Sequence, residues 1–222
     1  MRTRARYDSV ADWYEHEFMG SPLDDVARET VLRLLPDGSG KLLDVGCGTG
    51  VYTAAMSRCG WTVTGIDESE GMLRYARERG VDVVRGSAEA LPFDDESFDA
   101  VVSMWTHTDV DDFAAMVREV ARVLRRRGPF VYVGAHPCFV GPHARYISGG
   151  GVRELHSGYF RAGRYAEAPG ISPNGLRARV GATHLPLGLF LQALCDAGFR
   201  IEHFEESATG EYPYMVALRC RR

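Results

Sequence analysis

The sequence lacks the features that define several other classes of protein. No apolar run approaches the roughly 18 residues that a membrane-spanning helix needs. The five cysteines are an odd number, and no two of them have CxxC spacing, so neither a disulfide framework nor a zinc site is predicted. These absences predict a reduced, cytoplasmic protein without a metal.

An excess of positive charge is also missing. The formal net charge is −4, which gives no overall reason to expect a nucleic acid as partner. The N-terminal arginines have no apolar segment behind them, so a secretory signal is not predicted and neither is a membrane partner. With 222 residues, 45% of them hydrophobic, the chain can bury a full core, and we predict one domain over residues 1–222.

Alternating strand and helix patterns run through most of the chain. The predicted strands are 42–45, 62–66, 82–85, 100–104 and 130–134. The predicted helices are 8–18, 24–35, 50–59, 70–79 and 111–126. Such alternation is typical of a parallel sheet with helices on both faces.

The most informative segment is Lys41–Gly50, KLLDVGCGTG, where an apolar run ends in an acid and three alternate glycines. Glycine has no Cβ, so the backbone can approach a ligand closely and adopt torsions that other residues avoid. The pattern predicts a small molecule at the carboxyl end of a first strand. Glycines also close ordinary turns, so this loop is weak evidence by itself.

A second acid strengthens the prediction. Asp67 ends the β-rich run WTVTGID, roughly 20 residues beyond the glycine loop, the spacing that separates a glycine loop from a ribose-binding acid in dinucleotide folds. A carboxylate there can accept hydrogen bonds from both ribose hydroxyls. The alternative is that Asp67 caps the helix that follows.

Two cofactor classes fit a glycine loop with a ribose acid. Dinucleotides carry a pyrophosphate and usually require G-x-G-x-x-G at a helix N-terminus. Here the third glycine comes one residue early, and Asp44 lies two residues before the first glycine. An acid there disfavours a pyrophosphate and suits a cation, so charge favours S-adenosylmethionine, which has a sulfonium and an ammonium group and no phosphate.

The chain resembles the class I S-adenosylmethionine-dependent methyltransferases, in particular the bacterial small-molecule group. Six segments, spread between residues 43 and 221, carry the resemblance: LDVGCGTG, VTGIDESEGML, GSAEALPFDDESFDAVVS, REVARVLRRRGPFVYV, LQALCDAGFRIEHFEE and YPYMVALRCR. The resemblance implies methyl transfer to an O, N or C atom of a small molecule. A fold relative that does not transfer methyl, such as a cyclase, and an NAD-type oxidoreductase remain alternatives.

The implied fold is α/β, a Rossmann-like doubly wound sheet of seven strands with helices on both faces. Strands 1–6 are parallel and strand 7 is antiparallel. The last large helix is expected at 187–197, and the closing hairpin at 199–205 and 214–219. N-terminal helices within residues 1–40 are expected to cover the cofactor.

The resemblance also implies a set of cofactor-binding residues. They are Tyr14, Asp44, Gly46, Cys47, Gly48, Gly50, Asp67, Glu68, Met72, Ser87, Ala88, Glu89, Met104 and Trp105. Ser87 stands where relatives often have an acid for the adenine amino group, so weaker cofactor binding is expected. Ser87 as a turn residue, Met72 as helix core and Trp105 as a packing aromatic are the structural alternatives.

Two histidines are candidate general bases. His107 follows the fourth predicted strand, past which the methyl group points in this fold, and a free imidazole titrates near neutrality. His184 leads into the last large helix and is the second candidate. A structural hydrogen bond is the alternative role for His107.

Residues 137–182, here called the insert, are predicted to form a lid over the substrate. They contain nine glycines and six arginines against two acids, and a long segment with few aliphatic residues is more often a functional cover than filler. Interleaved arginines and aromatics suit an aromatic or carboxylate-bearing acceptor, although a solvated loop has the same composition. The candidate substrate residues are Tyr7, Arg145, Tyr159 and Arg164. A monomer or homodimer is expected.

Overall fold

The computed structural model describes residues 5–147, 152–207 and 212–222. Its strands are β1 (Lys41–Val45), β2 (Thr62–Asp67), β3 (Asp82–Arg85), β4 (Ala100–Met104), β5 (Pro129–Ala135), β6 (Ala144–Ile147), β7 (Val152–Leu155), β8 (Gly163–Tyr165), β9 (Ala182–His184), β10 (Arg200–Ser207) and β11 (Met215–Arg221). Its α-helices are α1 (Ala11–Trp13), α2 (Pro22–Leu34), α3 (Val51–Arg58), α4 (Glu70–Glu78), α5 (Phe113–Val123), α6 (Leu176–Val180) and α7 (Leu187–Asp196).

Seven strands form one sheet in the order β10-β11-β5-β4-β1-β2-β3. The neighbouring pairs among β1 to β5 are parallel, whereas β11 runs antiparallel to both β5 and β10. The predicted doubly wound sheet with an antiparallel seventh strand is therefore confirmed. Because the carboxyl ends of parallel strands lie at one edge, this topology gathers the loops after β1, β2 and β4 at that edge.

Apolar side chains cover both faces of the sheet, because neighbouring strand residues point to opposite faces. On one face Leu43 lies in a cluster with residues of α5 and α7, such as Phe113 and Phe190. On the other face Leu42 lies in a cluster with residues of α2 and α3, such as Val31 and Met56. The apolar residues of α5, which recur at helical spacing, therefore pack against the sheet.

Two predicted helices differ from the observed ones. The predicted helix 8–18 is divided into a 3₁₀ turn (Arg6–Ser9), α1 and a π-helical turn (Tyr14–Phe18). Asp8 accounts for the first break, since its carboxylate accepts hydrogen bonds from Ser69 and Gly71 at the start of α4 instead of continuing a regular helix. Helix α5 is shorter than predicted at both ends: Asp112 caps its start through Ala115 N–H at 2.9 Å, and it ends at Val123, three residues before the predicted end.

The insert has more regular structure than its composition indicates. Strands β6 and β7 form one antiparallel pair, and β8 pairs antiparallel with β9 beyond α6. Residues 148–151 of the insert lie outside the described ranges. In the part of the chain that the structure describes, no helix is both long and apolar enough to cross a bilayer.

Candidate functional site

A cleft of about 1080 Å³ opens at the carboxyl ends of β1, β2 and β4. Its floor is the glycine loop, and its walls include the N-terminal segment, the turn after β4 and residues of the insert. All of the predicted cofactor residues except Asp44 and Gly50 line it. A ligand site at the strand ends is what an open α/β sheet favours.

Glycine is required at the first position of the loop. Gly46 has φ +75°, and a Cβ there would lie 2.2 Å from Cγ2 of Thr106. The loop turns back across the sheet because Gly46 N–H and Cys47 N–H both donate to the carbonyl oxygen of Ile66, at 2.8 and 3.0 Å. This turn of the loop places the backbone of Gly48 at the cleft.

Asp67 lies beside the loop and faces the cleft. Its two carboxylate oxygens accept hydrogen bonds from Gly48 N–H at 3.0 Å and Ser69 N–H at 2.9 Å. Burial raises the pKa of Asp67 to about 6, so the group is largely ionised at neutral pH. The cap of α4 is Ser69, whose hydroxyl accepts from Met72 N–H, so the capping alternative for Asp67 is wrong.

Asp44 and Gly50 support the loop from beneath. Asp44 is 2% exposed, and its carboxylate accepts a hydrogen bond of 2.5 Å from the Thr53 hydroxyl. Burial raises the pKa of Asp44 to about 7. Gly50 packs against Ala76 of α4, which a Cβ would approach to 2.9 Å. Neither residue lines the cleft. They support the glycine loop, in contrast to the direct contact with the cofactor that was predicted for them.

The predicted adenine loop is tied to the start of α5. Glu89 accepts hydrogen bonds from the backbone N–H groups of Asp111 and Asp112, at 2.7 and 2.9 Å. Its own N–H donates to the Ser87 hydroxyl at 3.2 Å, so Ser87 is part of a turn as well as of the cleft lining. The Glu89 carboxylate therefore fixes this end of the cleft to the start of α5, through hydrogen bonds from two backbone N–H groups.

Trp105 forms part of the cleft wall directly after β4. Its φ is +64°, which is unfavourable for a bulky residue and persists only where the surroundings fix it. The hydrogen bond from its N–H to the carbonyl oxygen of Val133, 2.7 Å long, supplies that restraint. Met104 and Thr106 line the cleft on either side of it.

His107 lies in the core and does not line the cleft, in contrast to the predicted general base. It is 2% exposed, and Nδ1 contacts the hydroxyl of Tyr132. Its ring lies at 5.6 Å from that of Phe190 and 6.3 Å from that of Phe113. Burial lowers its pKa to about 3, so the imidazole is neutral and has no access to an acceptor.

We predict that His107→Ala lowers the free energy of unfolding by about 3 kcal/mol, the effect of removing a large buried side chain. Its dissociation constant for S-adenosylhomocysteine should stay within about twofold of wild type, because the residue lies outside the cleft. Denaturant unfolding and calorimetry measure the two quantities. The matched variant His203→Ala, at a partly exposed histidine of β10, should change neither. If His107→Ala is as stable as wild type but loses most of its turnover, the result would contradict this prediction and support a catalytic role for His107.

The other predicted histidine and most of the predicted substrate residues also lie away from the cleft. His184 Nε2 is 2.6 Å from the carbonyl oxygen of Tyr159, and the Tyr159 hydroxyl accepts from Leu187 N–H. Arg164 donates to the carbonyl oxygen of Val180. Arg145 is exposed, 3.9 Å from a carboxylate of β7. These groups stabilise the insert, whereas the predicted substrate residue Tyr7 does line the cleft.

Sequence reasoning missed a polar cluster that joins three segments around the cleft. Arg177 of α6 donates to Asp109 at 2.6 Å and to the Thr108 hydroxyl at 2.8 Å. Tyr7 donates to the same oxygen of Asp109 at 2.9 Å. We call Tyr7, Thr108, Asp109 and Arg177 the Asp109 cluster. It connects the N-terminal segment, the turn after β4 and the insert.

Negative charge prevails along the cleft. Six carboxylates line it against three arginines, which gives a formal charge of −3; they are Asp24, Asp67, Glu68, Glu89, Asp109 and Asp111 against Arg6, Arg85 and Arg177. Among the insert arginines within the described residues, Arg177 alone reaches the cleft, where Asp109 neutralises it. Within the described residues, the insert therefore brings no unpaired cation to the cleft lining, which does not favour the predicted carboxylate-bearing acceptor.

Comparison with known proteins agrees with this architecture. Residues 43–132 match the family model described as a methyltransferase domain. Demethylmenaquinone methyltransferase of Corynebacterium kroppenstedtii is 38% identical over 125 residues, which are 55% of each chain. The chain thus spans about half the length of the curated relatives it matches.

Solved structures cover much more of the chain. The S-adenosylmethionine-dependent methyltransferase of Mesorhizobium loti has a TM-score of 0.75 at 28% identity, and the match covers 90% of this chain and 100% of that one. The [4+2]-cyclase SpnF has a TM-score of 0.65 at 22% identity, with 98% and 91% covered, and shares the fold. The predicted cofactor, S-adenosylmethionine, is the one on which the Mesorhizobium loti protein depends. Residues 43–132 thus match a methyltransferase domain, and the chain as a whole has the fold of the S-adenosylmethionine-dependent methyltransferase from Mesorhizobium loti.

Proposed function

We propose that this protein transfers a methyl group from S-adenosylmethionine to a small-molecule acceptor bound in the same cleft. The observation that carries the proposal is the pairing of the glycine loop with Asp67 at one edge of the sheet, inside a cleft of about 1080 Å³. The family match supports the same reaction. Since the curated relatives are matched over about half of their length, their named acceptor is not transferred to this chain.

The residues at the cleft fit this cofactor better than a dinucleotide. No lysine or arginine belongs to the glycine loop, which Asp44 precedes, and the formal charge of the lining is negative. S-adenosylmethionine carries a net charge of +1, whereas a pyrophosphate is an anion. A cleft lined by one sign of charge concentrates ligands of the opposite sign.

The chain's own residues have mainly a positioning task. When bound, the cofactor supplies a methyl group already activated on a positively charged sulfur. Asp67 accepts the ribose hydroxyls in this proposal, Ser87 and Ala88 face the adenine, and Met104 and Trp105 flank the reacting end. Holding two reactants in contact and alignment contributes roughly 7–11 kcal/mol in favourable systems, so a general base is not required.

The acceptor end of the cleft is aromatic and partly polar. Tyr7 and Tyr14 meet edge to face at 5.8 Å, and Tyr165 and Tyr214 also line this region. The Asp109 cluster supplies carboxylate and hydroxyl groups that can orient a hydroxyl or amine of the acceptor. We therefore propose an aromatic acceptor without a free carboxylate, and we place the insert over it as a cover.

The reaction can be tested by incubating the protein with S-adenosylmethionine and a panel of aromatic alcohols and amines. We expect S-adenosylhomocysteine, detected by mass spectrometry, together with a product heavier by one methylene. The similarity of fold to a cyclase keeps a reaction without methyl transfer as the second candidate. Acceptor turnover without formation of S-adenosylhomocysteine would favour that candidate and contradict methyl transfer.

Cofactor affinity should depend on pH through Asp67. Its pKa of about 6 means that the carboxylate becomes protonated as pH falls, and a protonated carboxyl accepts ribose hydroxyls less well. The dissociation constant for S-adenosylhomocysteine should rise about tenfold between pH 7 and pH 5, as one group titrates. Calorimetry at several pH values measures this change. In Asp67→Asn the affinity should be lower and flat with pH, and an unchanged slope would assign the titration to another group.

A further inference from the structure

Asp24 is a partly buried carboxylate of the cleft lining, and within the described residues no positively charged group pairs with it. Asp109 pairs with Arg177 and Asp111 with Arg6, and Glu89 and Asp67 accept from backbone N–H groups. Asp24 accepts only from neutral donors, although its neighbour Asp25 pairs with Arg28 at 2.7 Å.

The role of Asp24 in its own helix uses one of its two carboxylate oxygens. Oδ2 accepts from Gly20 N–H at 3.0 Å and from the N–H and hydroxyl of Ser21, both at 2.8 Å, and so completes the capping box of α2. Oδ1 accepts one hydrogen bond, from the Tyr52 hydroxyl at 3.0 Å. A carboxylate oxygen has room for a second donor, so capping leaves Oδ1 available to a ligand.

The surroundings of Asp24 suit a cation. Tyr14, Phe18 and Trp105 line the cleft together with Asp24 and Tyr52. The rings of Tyr14 and Phe18 lie 5.2 Å apart, and Trp105 packs against the cluster that contains Tyr52. Aromatic faces attract an ammonium group, and the attraction is larger when the group is desolvated.

The sheet order places this group at the far end of the cofactor from the adenine. Asp67 and the loop at Ser87 follow β2 and β3, which lie at one side of β1. Tyr52 is in the first turn of α3, directly after the glycine loop, and Trp105 follows β4 at the other side of β1. A ligand with its adenosine on the β2 side therefore extends its amino-acid tail across the glycine loop toward Asp24.

We propose that Asp24 binds the α-ammonium group of the cofactor's amino-acid tail, and that Tyr52 holds the Asp24 carboxylate in position. This inference rests on the proposed binding of S-adenosylmethionine. It adds a specificity determinant at the tail end of the site, where the sequence motifs indicate none. Through this contact the chain distinguishes ligands that carry the amino-acid tail from those that end at the thioether.

The test compares two ligands by calorimetry: S-adenosylhomocysteine and 5′-methylthioadenosine, which has the same nucleoside and thioether without the amino acid. Asp24→Asn keeps the size of the side chain and removes its charge. We expect the dissociation constant for S-adenosylhomocysteine to rise about tenfold, because a charge-assisted hydrogen bond is lost. The constant for 5′-methylthioadenosine should change by less than about twofold.

Two further variants keep the test decisive. Asp25→Asn, at the exposed neighbouring acid, should change neither constant. Tyr52→Phe leaves the capping box intact. It should raise the dissociation constant for S-adenosylhomocysteine about threefold through loss of one hydrogen bond, and leave that for 5′-methylthioadenosine unchanged. Tyr52→Phe decides the question if Asp24→Asn does not fold.

Three results would overturn the inference. An equal loss for both ligands in Asp24→Asn would mean a purely structural role. Unchanged affinity for both, with a raised acceptor KM, would assign Asp24 to an amine acceptor. If wild-type protein binds 5′-methylthioadenosine and S-adenosylhomocysteine with equal affinity, no residue binds the amino-acid tail specifically. The proposed nucleoside site would not be affected by that result. Failure of the wild type to bind either ligand would instead overturn the proposed function itself.

Discussion

Asp67→Ala should raise the dissociation constant for S-adenosylhomocysteine at least tenfold while the protein stays folded. In the proposed complex both ribose hydroxyls donate to this carboxylate, and hydrogen bonds to a charged group contribute about 1.5–3 kcal/mol each. A loss of 1.4 kcal/mol is already tenfold in affinity. The side chain also accepts from Gly48 and Ser69 N–H, so its removal loosens the glycine loop and increases the loss.

Calorimetry measures the affinity, and circular dichroism confirms the fold. Asp82→Ala is the matched control, because Asp82 is an exposed acid on the neighbouring strand β3 and lies outside the cleft lining. It should leave the constant unchanged. An unchanged constant in Asp67→Ala would refute the assignment of the ribose to Asp67, and with it the orientation of the cofactor along the cleft.

Arg177→Gln should lower the free energy of unfolding by about 2–3 kcal/mol and expose the insert to proteolysis. Breaking a buried ion pair by removing one partner costs about 3–5 kcal/mol because the remaining charge is uncompensated. The two side chains here are each 27% exposed, which reduces the expected effect. Thr108 loses its guanidinium partner at the same time, so the turn after β4 separates from α6.

Denaturant unfolding and limited trypsin digestion within residues 152–182 measure these effects. Arg179→Gln is the control on the same helix, since the Arg179 guanidinium lies over the Trp13 ring at 4.2 Å and not in the cleft. In a double-mutant cycle with Asp109→Asn, the two changes should couple by about 1–3 kcal/mol. Additive effects would contradict the role of the Asp109 cluster in fastening the insert.

Local sequence pattern was sufficient to predict the glycine loop, which forms the floor of the cleft. The loop around Gly46 and Gly48 and the acid at Asp67 are encoded within short segments, and the strands before them bring both to one edge of the sheet. The number of strands and the antiparallel last strand followed from the resemblance, whose segments include parts of every strand of this sheet except β3. The strands and the position of Asp67 beside the glycine loop therefore both follow from local sequence pattern.

The rest depends on contacts between distant segments. His107 looks like a catalytic histidine in sequence, but its burial is decided by Tyr132 and Phe190, which are far along the chain. Arg177 is one of six arginines in the insert, and only the packing of α6 brings it to Asp109. In the sequence Asp24 has only the position of a helix-capping acid. The fold brings the Tyr52 hydroxyl, 28 residues later in the chain, into contact with it.

The most direct test of the central claim is a calorimetric titration of the wild-type protein with S-adenosylhomocysteine, with NAD titrated in parallel. We predict saturable binding of one S-adenosylhomocysteine per chain and no measurable binding of NAD. Binding of NAD alone, or no heat with either ligand at high protein concentration, would contradict a cleft built for a positively charged nucleoside.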